Sequence, residues 1–203
     1  LGDVYKRQLI ESEGFNCYYA PEISKQHHQV AGTITERVQH FNALIHNPDI
    51  KAIWNIRGGY GSAEIVDLVD WEALIAQPKW LIGFSDFTTF LCHGVQKGIA
   101  TLHAPMPISF STTHPDALTA TFNVLRGKED GLHCVLPKNI HGQIIAGNLS
   151  VIASILGTPS LPSLDDCVLI IEDLDEYHYH LARILLTLRR RGAFNRLRAV
   201  VLG

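Results

Sequence analysis

Trp80-Leu81-Ile82-Gly83-Phe84-Ser85-Asp86-Phe87 runs an apolar strand into a helix with no loop between them. A short continuous apolar run of this kind reads as a buried strand, and the helix pattern continues from Phe87 to Gln96. A strand that passes straight into a helix is half of a βα unit, and repeated βα units build a parallel sheet covered by helices. The same alternation extends to both sides. Upstream, Phe15 to Ala20 reads as a strand ending at Pro21, and Thr33 to Asn47 as a helix with Val38, Phe41, Leu44 and Ile45 on one face, ended by Pro48. Lys51 to Ile56 reads as a strand, the turn Arg57-Gly58-Gly59-Tyr60-Gly61 follows, and Ala63 to Val69 and Trp71 to Ala76 read as helices. Downstream come a strand from Ile99 to His103 and a helix from Asp116 to Arg126.

Polar and turn residues cluster between Lys128 and Lys138, and the alternation then resumes: Gln143 to Ala146, a helix from Asn148 to Leu156, the strand Val168 to Ile171, a helix from Tyr177 to Arg191 and a last strand from Ala199. The expected organisation is therefore α/β, with a mostly parallel N-terminal domain over 1–134 and a smaller, partial C-terminal domain over 135–203. The opening Leu1-Gly2-Asp3-Val4-Tyr5-Lys6-Arg7-Gln8 resembles translated adapter sequence, which leaves open whether residues 1–8 are native. Starting inside a helix and stopping on a strand, the chain reads as the middle of something longer.

Composition narrows the function classes. With 203 residues, 46% hydrophobic and 18% charged, the chain can bury a core and is neither disordered nor a coiled coil. Its apolar runs fall far short of the ~20 residues of a membrane helix. A net charge of −3 argues against nucleic acid as a partner. The one dense basic cluster, Arg189-Arg190-Arg191, sits at an expected helix C-terminus, where cations suit the macrodipole. Cys17, Cys92, Cys134 and Cys167 show neither C-x-x-C pairs nor a disulfide framework, so reduced buried thiols and a cytoplasmic location are expected; no export signal opens the chain.

Ligands of open α/β sheets collect at the carboxyl ends of strands, and three such ends carry unusual residues. At Gly83-Phe84-Ser85-Asp86, a sharp strand–turn–helix lifts the Ser85 hydroxyl beside unpaired helix N-terminal amides. Such amides stabilise an oxyanion by ~3 kcal/mol per donor. Taken alone, Ser85 or Asp86 reads first as a helix N-cap, and the second glycine of a G-x-S-x-G elbow is missing. The glycines of Arg57 to Gly61 are able to cradle a phosphate, to complete an oxyanion hole facing Ser85, or simply to permit a tight turn; neither nucleotide-binding glycine motif is matched. After the last buried strand of the middle region, Glu172-Asp173-Leu174-Asp175-Glu176 holds four carboxylates. One is suited to orient a catalytic imidazole, a metal site with His178 and His180 is the alternative, and acidic residues near a helix N-terminus are the plain one. Glu172 stands apart because it directly follows the apolar strand. Of the other histidines, only His103, at a strand end, belongs near these residues.

Taken together, these stretches resemble the LD-carboxypeptidase family of serine peptidases, the muramoyl-tetrapeptide carboxypeptidases and their microcin-immunity relatives. The resemblance rests on Ala31-Gly32-Thr33, Ile56-Arg57-Gly58-Gly59-Tyr60-Gly61, Gly83-Phe84-Ser85-Asp86-Phe87-Thr88 and Thr101-Leu102-His103-Ala104-Pro105-Met106. It continues through Ala146-Gly147-Asn148-Leu149, Leu156-Gly157-Thr158-Pro159, Ile171-Glu172-Asp173 with Glu176, and Val200-Val201-Leu202-Gly203. It implies a flavodoxin-like N-terminal domain, Ser85 as nucleophile, Glu172 as triad acid, and the Gly59 and Asp86 amides as oxyanion hole. It also implies Tyr60 and Asn148 on the substrate side, no metal or cofactor, and a homodimer. The family's catalytic histidine lies in a Gly-His motif beyond the last strand read here, so these 203 residues are expected to be inactive alone. Ala104 and Ala146 replace usual glycines, and Ala182 an acidic residue. The implied reaction is release of terminal D-alanine from murein tetrapeptide stems in peptidoglycan recycling. The rivals are an immunity-type peptidase acting on an aminoacyl-adenylate analogue, and a non-catalytic small-molecule binder with Arg57 gripping a carboxylate.

Overall fold

The computed structural model describes residues 2–19, 25–128 and 140–203, and in it six strands form two three-stranded sheets. In the first, β1 (Ala52–Trp54), β2 (Trp80–Gly83) and β3 (Thr101–His103) lie in that order, all parallel, with Leu81 paired between Ile53 and Thr101. In the second, β4 (Gln143–Asn148), β5 (Cys167–Glu172) and β6 (Ala199–Leu202) are again parallel, with Leu169 between Ile145 and Val200. The α/β class with parallel sheets is thus as expected. The expected boundary at 134/135, together with Cys134, His133 and Pro21, lies outside the described residues.

Helices α1 (Gly2–Ser12) and α2 (Ile34–His46) precede β1; α3 (Ser62–Ile65), a 3-10 turn over 66–68 and α4 (Trp71–Ala76) separate β1 from β2. The start of α2 is set by a capping box: Thr33 accepts from the Glu36 N–H while the Glu36 side chain takes the Thr33 N–H. Hydrogen bonds from Lys25 and Thr33 hold the Glu36 carboxyl down to about 2. Then follow α5 (Thr88–Gln96), α6 (Pro115–Leu125), α7 (Leu149–Ser154) and α8 (His178–Arg190), whose last turn carries Arg189 and Arg190 as the macrodipole favours.

α5 joins the two sheets. It is buried nearly all round, as a helix between two cores must be. Phe87, Phe90 and Leu91 enter the first core with Ile53, Trp71 and Leu81, while Cys92 enters the second with Ile145, Ile152 and Leu169. Full burial of Phe90 and Leu91 contributes about 1.5–3 kcal/mol each. On the β4 side the approach depends on Gly147, where a Cβ would stand 2.3 Å from Thr88 Cγ2. The next amide, Asn148 N–H, donates to buried Thr88 Oγ1 at 3.0 Å. That bond ties the start of α5, just past the end of β2, to the end of β4, so the two sheets meet at their carboxyl ends.

Some expectations need correction. Residues 15–19 form no strand; Phe15 instead stacks on Phe122 of α6 with Arg126 over its ring, so this apolar run is anchored by a helix rather than a ladder. Asn148 does not begin a helix but ends β4 and caps α7, its Oδ1 accepting the Val151 N–H at 3.1 Å. The expected 63–69 helix breaks after Ile65 into a 3-10 turn. Cys92 and Cys167 are free and buried, but Cys17 is only partly covered. No helix among the described residues is long and apolar enough to cross a membrane.

Candidate active site

Ser85 follows β2 in a left-handed backbone conformation, φ 59°, which a residue with a side chain adopts at a cost of about 1–3 kcal/mol. The surroundings impose it. Gly83 has no room for a Cβ, which would lie 2.8 Å from the Phe87 ring, so the chain folds back tightly and Phe87 fills the core. Asp86 Oδ2 accepts the Ser62 N–H at 2.9 Å, pinning the turn to the start of α3. Residues 85–87 form a 3-10 turn whose first bond, Phe87 N–H to Phe84 O, leaves the Ser85 and Asp86 amides without helical partners.

The glycine loop comes up against this turn at Gly58. A Cβ on Gly58 would sit 3.1 Å from Ser85 Oγ, whereas one on Gly59, at φ 144°, would meet nothing within 4 Å. Tyr60 is 58% exposed. A phosphate at the start of α3 would face the Asp86 carboxylate already bonded there, and Arg57 Nε is turned onto Gly58 O at 3.2 Å. The geometry speaks against the phosphate cradle.

At the end of β5 the two adjacent carboxylates diverge. Asp173 Oδ1 accepts from Asn148 Nδ2 at 3.0 Å and from Leu174 N–H at 2.9 Å, and Oδ2 accepts the Ser150 N–H at 3.0 Å and the Ser150 hydroxyl at 2.6 Å. Burial alone would raise its pKa, but the hydrogen bonds from Ser150, Asn148 and Leu174 outweigh it and the pKa is lowered. Glu172 pairs in register with Asn148 and is half-buried. Burial first, then the Asp173 charge, push its pKa up against a lowering hydrogen bond from Asn148. Its Oε1 is buried without a hydrogen-bond partner and lies 3.9 Å from His103 Nε2 at the end of β3. Burial pushes His103 down to about 4. At neutral pH this contact is therefore a neutral imidazole beside a carboxyl group, not an ion pair. Phe84, His103, Ala104, Pro105, Ser109, Thr113 and Glu172 line one open depression of about 330 Å³.

Phe84, the residue before Ser85, and Glu172 thus share a wall from opposite sheets. Tyr60 and Gly59 are not among the residues lining it. Asn148 spends its side chain on Asp173 and on the α7 cap. Glu176 is engaged with His180 Nδ1 and, at 3.4 Å, with the Ser150 hydroxyl. No group of three or more His, Cys, Asp and Glu side chains among the described residues is placed to hold a metal. Sequence reasoning missed the part played by Asp173 and Ser150; the signal was present, because Asn148-Leu149-Ser150 at a strand–helix junction offers two capping side chains in need of an acceptor.

Two parallel sheets joined at their carboxyl ends by a shared helix, with a strained serine at one strand end and a buried carboxyl group at another, define an α/β protein with an enzyme-like cleft. Residues 4–104 match the LD-carboxypeptidase N-terminal domain and residues 141–203 the LD-carboxypeptidase C-terminal domain. The chain belongs to the LD-carboxypeptidase family, and its carboxypeptidase relatives make it a hydrolase by kinship. It is 30% identical to the murein tetrapeptide carboxypeptidase of Pseudomonas aeruginosa, over 97% of this chain and 69% of that protein. It is 28% identical to the microcin C7 self-immunity protein MccF of Escherichia coli, over 97% of this chain and 68% of that one. Its fold superposes on the muramoyltetrapeptide carboxypeptidase of Oxalobacter formigenes with a TM-score of 0.89 at 26% identity, covering all of this chain and 71% of that one.

Proposed function

We propose that the protein is a serine LD-carboxypeptidase that releases the terminal D-alanine of murein tetrapeptide stems during peptidoglycan recycling in the cytoplasm, working as a homodimer. Ser85 is the nucleophile and Glu172 the acid that orients an imidazole base. That base is the histidine of the family's Gly-His motif, as the resemblance implies. It takes the Ser85 proton as Oγ attacks the terminal peptide carbonyl, and the oxyanion is met by the Gly59 and Asp86 amides. The C–N bond breaks, the base returns its proton to the departing D-alanine amine, and water hydrolyses the acyl-enzyme. Tyr60 and Asn148 sit on the substrate side. These 203 residues alone, without the base, turn over at a trace of the full rate.

The observation that carries this reading is the strained backbone of Ser85 at the β2–α5 junction, against Gly58 and beside a wall shared with Glu172. A hydroxyl held in an unfavourable conformation, with unpaired amides next to it, is what acyl transfer needs. D-alanine release from a tetrapeptide stem by protein carrying the base tests it: Ser85→Ala is expected to lower kcat by about 10⁴-fold or more. Unchanged release would refute the assignment. The kinship to the self-immunity protein supports a second substrate, an aminoacyl-adenylate analogue. Cleavage of that compound in preference to the tetrapeptide would move the assignment to it.

A further inference from the structure

Four buried side-chain nitrogen or oxygen atoms among the described residues lack a hydrogen-bond partner, and two of them, His103 Nδ1 and Glu172 Oε1, sit within one contact pair. We propose that His103 is a positioning residue for Glu172: its Nε2–H donates to Oε1 across the junction of the two sheets and holds the carboxylate from the β3 side. The proposal rests on the reading of Glu172 as the triad acid.

The spacing of 3.9 Å puts the two atoms in contact with no hydrogen bond yet made. It exceeds the ~2.7–3.2 Å of a made hydrogen bond, yet a water bridging two partners at ~2.8 Å each spreads them to about 4.5 Å or more. A small rotation of either side chain closes the gap. The imidazole carries one proton, and its position follows from what each nitrogen faces. Placed on Nδ1, the proton would be a buried donor without an acceptor, and Oε1 would face a lone pair. Placed on Nε2, it points at a buried oxygen that lacks a donor. Competing donors nearby are engaged: the Ser109 hydroxyl donates to Met106 O and the Thr113 hydroxyl to Ser109 O.

The charged and polar groups acting on Glu172 come from two other strands and from the residue after it. Asp173, just past β5, disfavours its charge, the Asn148 amide on β4 favours it, and His103 Nε2 on β3 lies 3.9 Å away. The carboxylate has about four lone-pair sites, so one bond to His103 leaves room for the triad imidazole. A donor from β3 holds the carboxylate on the cleft side before any base docks. This gives an imidazole at the end of β3 a role that the three-residue triad does not contain.

The test uses the 203-residue chain with isotope labels. Nitrogen NMR at pH 7 is expected to show the His103 proton on Nε2, and carbon NMR follows the Glu172 carboxyl, assigned with Glu172→Gln. His103→Phe is expected to raise the Glu172 midpoint by about half a pH unit or more, and His103→Gln, which keeps an N–H donor, to recover at least about half of that rise. A proton on Nδ1, or a Glu172 midpoint that His103→Phe leaves in place or lowers, or a rise that His103→Gln does not reverse, would overturn the proposal. Should the Phe variant not fold, the tautomer in the unmodified chain decides by itself. Failure of the triad reading shows elsewhere, as D-alanine release that Glu172→Gln does not slow, so the two failures are distinguishable.

Discussion

Asp173 and Glu172 are consecutive where β5 ends, yet both oxygens of the first are hydrogen-bonded and a buried oxygen of the second has no partner. On the α7 side, Asp173 collects four hydrogen bonds from Asn148, Ser150 and Leu174 and is the easier of the two to ionise. On the cleft side, Glu172 is half-buried with an unpaired oxygen and a raised pKa. Asp173 lies one residue past the end of β5, where its oxygens meet the donors of Asn148, Ser150 and Leu174, while Glu172 Oε1 lies against His103. The contrast separates two kinds of carboxylate: a fully bonded one stabilises the fold, and an under-bonded one costs stability, as the proposed triad acid would.

The largest expected effect breaks the cleft side alone. In protein carrying the base, Glu172→Gln is expected to lower kcat by about 10³–10⁴-fold, since the imidazole loses its orienting charge. Its melting temperature should hold or rise. A raised carboxyl pKa means that stability is greatest below the unfolded pKa and falls as pH rises through the folded one, so the charge opposes folding at neutral pH. A fall in melting temperature with unchanged kcat would reverse the roles of the two regions.

Next comes the scaffold side. Asp173→Ala removes the acceptor of four backbone and side-chain donors and should destabilise the chain by about 3 kcal/mol, read from denaturant unfolding. A loss within about 0.5 kcal/mol would show that Ser150 and Asn148 find other acceptors.

The smallest effect is a pH slope. His103 is held neutral, with its pKa moved from 6.5 to about 4 by burial, so the unfolded chain binds its proton more readily than the folded one. The stabilisation is fully present above about pH 6.5 and drains away as pH falls from there to about 4, on the order of 2–3 kcal/mol in all. Unfolding free energies of the parent and His103→Phe, compared between pH 7 and pH 4.5, read it; parallel slopes would show that His103 titrates as a solvated side chain.

Much of the fold was legible because local rules decided it. The apolar run at Trp80 to Gly83, the Thr33/Glu36 box and the Pro48 stop each act within a few residues, and their elements fall within one to three residues of the reading. The misplaced pieces were those settled by partners far along the chain. Phe15 to Tyr19 has strand-like composition, but Phe122 and Arg126, more than a hundred residues on, take up its ring. Asn148 has a helix-starting side chain, but the β4–β5 ladder and Thr88 draw its backbone into the strand end.

By itself, the order of residues determined the alternation of strands and helices, the parallel character of the sheets, and which strand ends carry reactive groups. Those follow from periodicity and backbone sterics, which span a few residues at a time. Only the tertiary structure decided that a Cβ at Gly58 would crowd the Ser85 hydroxyl, that Asp173 serves α7 while Glu172 faces His103, and that the two sheets meet through α5. Each of these depends on which surfaces come to lie within 3–4 Å, and at that range burial and hydrogen-bond competition, rather than residue type, set what a carboxylate or an imidazole can do.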